Sequence, residues 1–356
     1  MIKVLVIDDS LFMRTLISDM LNSNPEIKVI DTAKDGEEAI KKLSSLKPDC
    51  ITLDLAMPGW DGLTTLEHIM DEQPTPVIIL SAHSRKDADI TIKCLERGAV
   101  GFVVKPSGEL SLDIEAIKHQ LLEEVKAASQ VRRSSLAARR SKKTKYASRR
   151  AYRQAGFTLH ASRIVVIGAS TGGPQTLEGI LYSLPINFPV PVIIVQHMPS
   201  RFFTESLAGH LNKITDLEVK VAQNNEVLKP GRVYLAPSGC QLTLKSRRSS
   251  HESQDTEVVT CLKEVAHDIL TPSVDITMKS AAEVYGGNAI GIILSGMGYD
   301  GREGMKAIKE AGGKTIAQDE SSLIFGMPKA VIDAGYADKV LPVEAIADAM
   351  MELVSL

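Results

Sequence analysis

The sequence has little of what marks several large protein classes. Among 356 residues there are four cysteines, Cys50, Cys94, Cys240 and Cys261. They lie far apart with no C-x-x-C pair, which argues against both a disulfide framework and a cysteine-based zinc site. The eight histidines show no ligand spacing. No apolar run is long enough to span a bilayer, and the opening Met1-Ile-Lys-Val4 lacks a signal-peptide layout. The expectation is a cytoplasmic protein with no membrane insertion. What is present is a globular composition: 44% of residues are hydrophobic, enough for ample core, over a length that suggests about two domains.

Charge is nearly balanced, at −3 overall, but badly distributed. Residues 126–153 hold eleven Lys or Arg and no acid, so the rest of the chain is acidic. The stretch 126–158 is rich in Arg, Lys, Ser and Ala without a periodic apolar face, and reads as a solvated basic linker. A nucleic-acid or anionic-membrane arm is the sharper alternative. No aromatic interleaving supports base contacts, so no nucleic-acid partner is expected.

Ahead of the linker, Lys3-Val-Leu-Val-Ile-Asp-Asp9 reads as a buried strand ending in two carboxylates, and residues 10–23 carry apolar positions at helical spacing. The alternation continues with strands 28–33, 50–55, 77–82 and 101–104 and helices 36–46, 62–72, 87–97 and 111–128. Five strands alternating with five helices predict a flavodoxin-like, five-stranded parallel sheet that binds ligands beyond its strands' C-terminal ends. The polar residues fall there: Asp8 and Asp9 after the first strand, Asp54 after the third, Ser81 after the fourth, Lys105 after the fifth. Three crowded carboxylates stay charged cheaply only beside a cation, and oxygen-only ligands suit Mg²⁺. Asp54 could then attack a phosphoryl group while Lys105 neutralises developing charge.

With Asp54 followed by Met57-Pro58-Gly59, and with Lys105-Pro106, residues 1–125 resemble a response-regulator receiver domain. The resemblance implies Mg²⁺ held by Asp8, Asp9 and Asp54, phosphorylation of Asp54 by a histidine kinase, and a switch in which Ser81, Phe102 and Lys105 follow the phosphate.

A second α/β alternation starts at Ile164. The run Ile164-Val-Val-Ile-Gly-Ala-Ser-Thr-Gly-Gly-Pro174 predicts a buried strand, a tight turn carrying Ser170, and a helix opened by Gly-Gly-Pro. Strand 190–196 leads to His197, and strand 289–295 leads to the glycine-rich turn with Asp300. Shorter strands near 217–222 and 233–236, an inserted hairpin in 240–264, strand 314–318 and several helices complete a doubly wound, mainly parallel α/β domain. Ser170, His197 and Asp300 thus reach one edge of the sheet, where serine, imidazole base and orienting carboxylate can converge. The N–H groups of Thr171 and Met297 are candidate oxyanion donors. Three alternatives stand beside this: Ser170 as a donor in a phosphate-binding turn, His197 as a structural hydrogen-bonder, and Asp300 as the cap of a helix beginning at Gly301. The order Ser, His, Asp excludes the α/β-hydrolase fold.

Gly168-Ala-Ser-Thr-Gly-Gly-Pro174, Gln196-His-Met-Pro199, Pro272-Ser-Val-Asp275, Gly296-Met-Gly-Tyr-Asp-Gly301 and Ala317-Gln-Asp-Glu320 with Phe325-Gly-Met-Pro328 make residues 159–356 resemble the catalytic domain of chemotaxis protein-glutamate methylesterases. The resemblance implies Ser170 as nucleophile, His197 as general base and Asp300 as its partner. It also implies glutamyl methyl esters of chemoreceptors as substrate, glutamine deamidation by the same chemistry, no cofactor for the esterase reaction, and activation by receiver phosphorylation. Two segments depart from the family's pattern: Ala236-Pro-Ser-Gly-Cys-Gln241, where Ala-Pro-Gly-Asp is usual, and the polar Ser246–Gln254 stretch. A receiver acting on DNA through the basic linker and a hydrolase of small soluble esters are the rival readings.

Overall fold

The computed structural model describes residues 1–106, 114–131, 136, 162–248, 256–265 and 271–355. Two compact units lie within Met1–Lys145 and Tyr146–Leu356. Most of the basic linker, 132–135 and 137–158, lies outside the described residues.

The first unit is a five-stranded parallel sheet, β1 (Ile2–Ile7), β2 (Ile27–Ala33), β3 (Cys50–Asp54), β4 (Val77–Ser81) and β5 (Gly101–Val104), in the order β2-β1-β3-β4-β5. Strands β3 and β4 are buried at every residue, as expected where helices cover both faces of a parallel sheet. Four helices start on the residues that the sequence supplies for it. Side chains of Ser10, Asp35, Asp61 and Ser84 accept from first-turn N–H groups of α1 (Leu11–Asn22), α2 (Gly36–Leu46), α3 (Gly62–Glu72) and α4 (Arg85–Arg97). Helix α5 (Ile114–Ser129) runs past the expected domain end at 125 and takes the first residues of the basic stretch, where Lys126 pairs with Glu26 at 2.9 Å.

The second unit is built on a seven-stranded parallel sheet: β6 (Ile164–Ala169), β7 (Val192–Gln196), β8 (Glu218–Val221), β9 (Arg232–Leu235), β12 (Ala289–Ile293), β13 (Lys314–Gln318) and β14 (Lys339–Leu341). Their order is β14-β13-β12-β6-β7-β9-β8. The central β6, β7 and β12 are buried at every residue. The helices are α6 (Gly173–Ser183), α7 (Arg201–Ile214), α8 (Val274–Tyr285), α9 (Arg302–Glu310), α10 (Met327–Asp333) and α11 (Val343–Ser355).

The expected hairpin is present as a separate antiparallel pair, β10 (Cys240–Arg248) with β11 (Thr256–Glu264). It buries Leu242 and Leu244 in the same core as Val274, Met278 and Ala281 of α8, with Val258 and Leu262 packed against that core. Two α8 hydroxyls fasten its backbone: Thr277 Oγ1 donates to Leu242 O at 2.8 Å, and Ser280 Oγ accepts from Leu244 N at 3.1 Å.

Candidate active site and phosphoacceptor site

In the second unit, register brings the serine and the imidazole together. Strands β6 and β7 pair Ala169 with Gln196, and His197 N donates to Ala169 O at 3.0 Å, so Ser170 and His197 are the next residues on adjacent strands. The turn after β6 is tight: Gly173 N donates to Ser170 O at 2.8 Å, and Gly172, at φ 75°, caps α6 in the left-handed region that favours glycine. Pro174 occupies the first turn of that helix. From the other side, Ser170 N donates to Ser295 O at 3.0 Å. A Cβ at Gly296 would lie 2.8 Å from Ser170 Cβ, so only glycine lets the β12 loop approach the serine this closely.

His197 Nε2 and Asp300 Oδ2 stand 2.9 Å apart, with side chains 10% and 14% exposed. This leaves Nδ1 as the ring nitrogen for the serine. Among the described residues the imidazole engages Asp300 alone, and no hydrogen bond joins it to Ser170 Oγ. Such links commonly tighten only once substrate is bound.

Asp300 does act as a helix cap, but of another helix than expected. Its Oδ2 accepts from Val274 N at 2.8 Å, and its Oδ1 accepts from Asp275 N and Ser273 Oγ, both at 3.0 Å, at the start of α8. The N–H of Gly301 goes instead to Asp275 Oδ1 at 2.9 Å, with Gly304 N on the same oxygen at 2.7 Å. Capping and holding His197 are thus compatible roles of one carboxylate. Burial opposes the charge on Asp300, yet the His197 contact and the two backbone N–H groups outweigh it and hold the carboxyl below its usual range. Asp275 goes the other way: burial, aided by the Asp300 charge, raises it against the pull of its two N–H donors.

Three side chains that the sequence did not single out for roles support the site. Gln196 lies under the Ser170 and His197 carbonyls. Ser273 bonds Asp300. Gln241, in the departing Ala236–Gln241 segment, accepts from Ser273 N at 2.9 Å and so ties the hairpin to the same helix start. A serine N-cap followed two residues later by an acid was the available signal for Ser273 and Asp275. Thr171 is buried. Among the described residues, no hydrogen bond takes the N–H of Met297.

In the first unit the strand ends converge as expected. Ligand oxygens of buried Asp8, exposed Asp9 and buried Asp54 all lie within 4.8 Å of one another. Lys105 Nζ reaches Asp8 Oδ2 at 2.6 Å and Asp54 Oδ1 at 2.8 Å. Burial, with the Asp8 charge behind it, raises the Asp54 carboxyl despite Lys105. This hard-oxygen set, short of positive charge, fits Mg²⁺. Ser81 is fully buried and its hydroxyl accepts from Thr91 Oγ1 at 2.8 Å; Phe102 is 9% exposed.

Residues 165–350 match the CheB methylesterase family model, and residues 4–116 match the response-regulator receiver domain. The chain is 42% identical to a protein-glutamate methylesterase/protein-glutamine glutaminase of Thermotoga maritima, over 99% of this chain and 98% of that one. It is 45% identical to a protein of the same name from Archaeoglobus fulgidus, over 97% and 96%. The crystal structure of the Thermotoga maritima CheB methylesterase catalytic domain superposes with a TM-score of 0.50 at 45% identity, covering 55% of this chain and all of that one. No described helix is long and apolar enough to cross a membrane. With both domains matched and relatives aligned end to end, the chain belongs to the CheB methylesterase family and carries a response-regulator receiver domain ahead of the methylesterase domain.

Proposed function

We propose that this chain is a phosphorylation-activated protein-glutamate methylesterase and glutaminase acting on chemoreceptors, with Ser170, His197 and Asp300 as its triad. The observation that carries the reading is the Asp300–His197 contact beside Ser170, at the edge where β6 and β7 end.

In the reaction, Ser170 Oγ attacks the glutamyl ester carbonyl as His197 Nδ1 takes the hydroxyl proton. Asp300 stabilises the imidazolium through Nε2 and fixes the ring's tautomer. The oxyanion lies against the N–H groups of Thr171 and Met297. Collapse expels methoxide, which leaves as methanol with the proton from His197, and an acyl-enzyme forms. Water, deprotonated by His197, then releases glutamate and restores Ser170. A glutamine side chain follows the same course with ammonia as leaving group, and no cofactor is required.

In the receiver, Asp8, Asp9 and Asp54 would hold Mg²⁺, which when bound supplies positive charge for the phosphoryl oxygens. The Asp54 carboxylate attacks phosphorus of the kinase's phosphohistidine, the P–N bond breaks so that the unphosphorylated histidine leaves, and Lys105 neutralises charge at the site. The Ser81 hydroxyl leaves Thr91 for the phosphate and Phe102 rotates with it, which shifts the population toward the active form.

Labelling of the full chain with a fluorophosphonate, followed by peptide mass spectrometry, tests the nucleophile. Modification at Ser170 that disappears in His197→Ala supports the triad; modification elsewhere contradicts it.

A further inference from the structure

Gln196 closes β7, is 4% exposed, and touches the backbone on both sides of the cleft between serine and histidine. Its Nε2 donates to Ser170 O at 2.9 Å and to His197 O at 3.1 Å. The orientation of the amide follows from chemistry: turned over, its oxygen would face two carbonyl oxygens, with no proton between them. Its Oε1 is buried without a hydrogen-bond partner among the described residues, which is costly and is offset by the two bonds made at the other end. Gly173 makes room for it, since a Cβ there would lie 2.1 Å from Gln196 Oε1.

From this arrangement we infer that Gln196 is a positioning residue of the esterase reaction, aiming the Thr171 N–H at the oxyanion. The inference rests on the triad reading above. The link is the planar trans peptide between Ser170 and Thr171, in which C=O and N–H point in opposite directions. Gln196 Nε2 and Gly173 N hold the Ser170 carbonyl, so they also fix where the Thr171 N–H points. Ser295 Oγ, donating to Thr171 O at 2.8 Å, pins the following peptide. An oxyanion donor is effective because it is already oriented when charge develops. With only Gly173 N remaining on the Ser170 carbonyl, the peptide can rock. The ground state, which asks little of this donor, is bound as before, while the tetrahedral state loses part of its stabilisation.

The test uses the full chain with phosphodonor, in wild type, Gln196→Met, which keeps length and apolar bulk but has no donor, and Gly173→Ala, which displaces the amide from the opposite side. Two quantities are read: the number of sites labelled by a fluorophosphonate at completion, and the rate per labelled site, alongside kcat and KM for methanol release from methyl-labelled receptor membranes. In both variants the labelled fraction and KM stay near wild type. The labelling rate and kcat fall about ten- to hundred-fold, short of the 10²–10³ typical of deleting an oxyanion donor outright, and the acid limb of the kcat–pH profile does not move. Rates per labelled site within about twofold of wild type in either folded variant overturn the inference while leaving the triad reading intact. A shift of the acid limb equal to the loss in rate overturns it too, since Gln196 would then act through His197. Wild type that is not labelled at Ser170 overturns the triad reading itself.

Discussion

Asp300 and Asp275 cap each other's helices. Asp300 accepts from the first N–H groups of the helix that contains Asp275, and Asp275 accepts from Gly301 and Gly304 around the start of the helix that follows Asp300. The carboxylate facing His197 is therefore held by a closed arrangement rather than by its own loop. Asp275→Ala orphans two N–H groups and is expected to cost about 0.5–2 kcal/mol, the range for losing a cap. It also lowers kcat, because the peptide after Asp300 loses its anchor. Asp275→Asn keeps an acceptor oxygen and loses less of both. Urea unfolding of the isolated variants, alongside methanol release, reads the two effects; Asp275→Ala at wild-type stability and rate contradicts the arrangement.

The two carboxylates also respond oppositely to acid. The folded-state pKa of Asp300 is lowered, so its contribution is complete above the unfolded value of about 3.9 and is lost as pH falls through the lower folded value. The stability advantage of wild type over Asp300→Asn is accordingly level near neutrality and shrinks below about pH 4. For Asp275 the folded value is raised, so ionising it costs stability above that value and acidification relieves the cost. Wild type therefore gains on Asp275→Asn as pH drops through the raised value. Denaturant midpoints across an acidic pH series check both, and parallel curves for the two variants contradict the assignment.

Gly296 is a tight steric constraint on Ser170. A methyl group there would meet Met327 Sδ at 2.3 Å and Ser170 Cβ at 2.8 Å. Gly296→Ala must push the β12 loop away from the serine turn, and overpacking of this kind costs about 1–3 kcal/mol. Activity falls by at least an order of magnitude if the serine moves by even about 1 Å. Gly298→Ala, where nothing lies within 4 Å of the added carbon, meets no such clash, although its φ of 82° strains the alanine. Comparing the two in thermal melts and methanol release separates steric contact from backbone strain; equal losses contradict the steric account.

The receiver carries its own reporter. Trp60, the single tryptophan, follows Asp54 in the loop before α3 and stacks on His68 with centroids 4.1 Å apart and planes within 5°. Mg²⁺ drawn in by Asp8, Asp9 and Asp54 is expected to change its emission, and chelation to reverse the change. Asp9→Asn weakens the response without touching the ion pairs of Lys105. An undiminished titration in that variant contradicts metal binding at this cluster.

The strands were legible because their residues are β-branched and apolar along their whole length, as in Ile164–Ala169 and Val192–Gln196, and the strand-end rule then located Asp8, Asp54, Ser170 and His197. What stayed hidden depends on partners distant in sequence. Asp300 looked like the cap of the helix next to it, but its donors come from residues 273–275, which only the packing of α8 beside that loop brings near. Gln196 stands in the Gln196-His-Met-Pro199 motif but gave no signal of its role, since one amide closing a strand has no period or spacing to read. β14 was missed because three residues at the sheet edge, none of them buried, carry no alternation.

The central claim is tested most directly by methanol release from methyl-labelled receptor membranes, with and without a small phosphodonor and Mg²⁺, for wild type, Ser170→Ala and Asp54→Asn. The account predicts release that vanishes in Ser170→Ala and that the phosphodonor raises in wild type but not in Asp54→Asn. Release that persists in Ser170→Ala would contradict the triad and leave the turn after β6 as a binding element only.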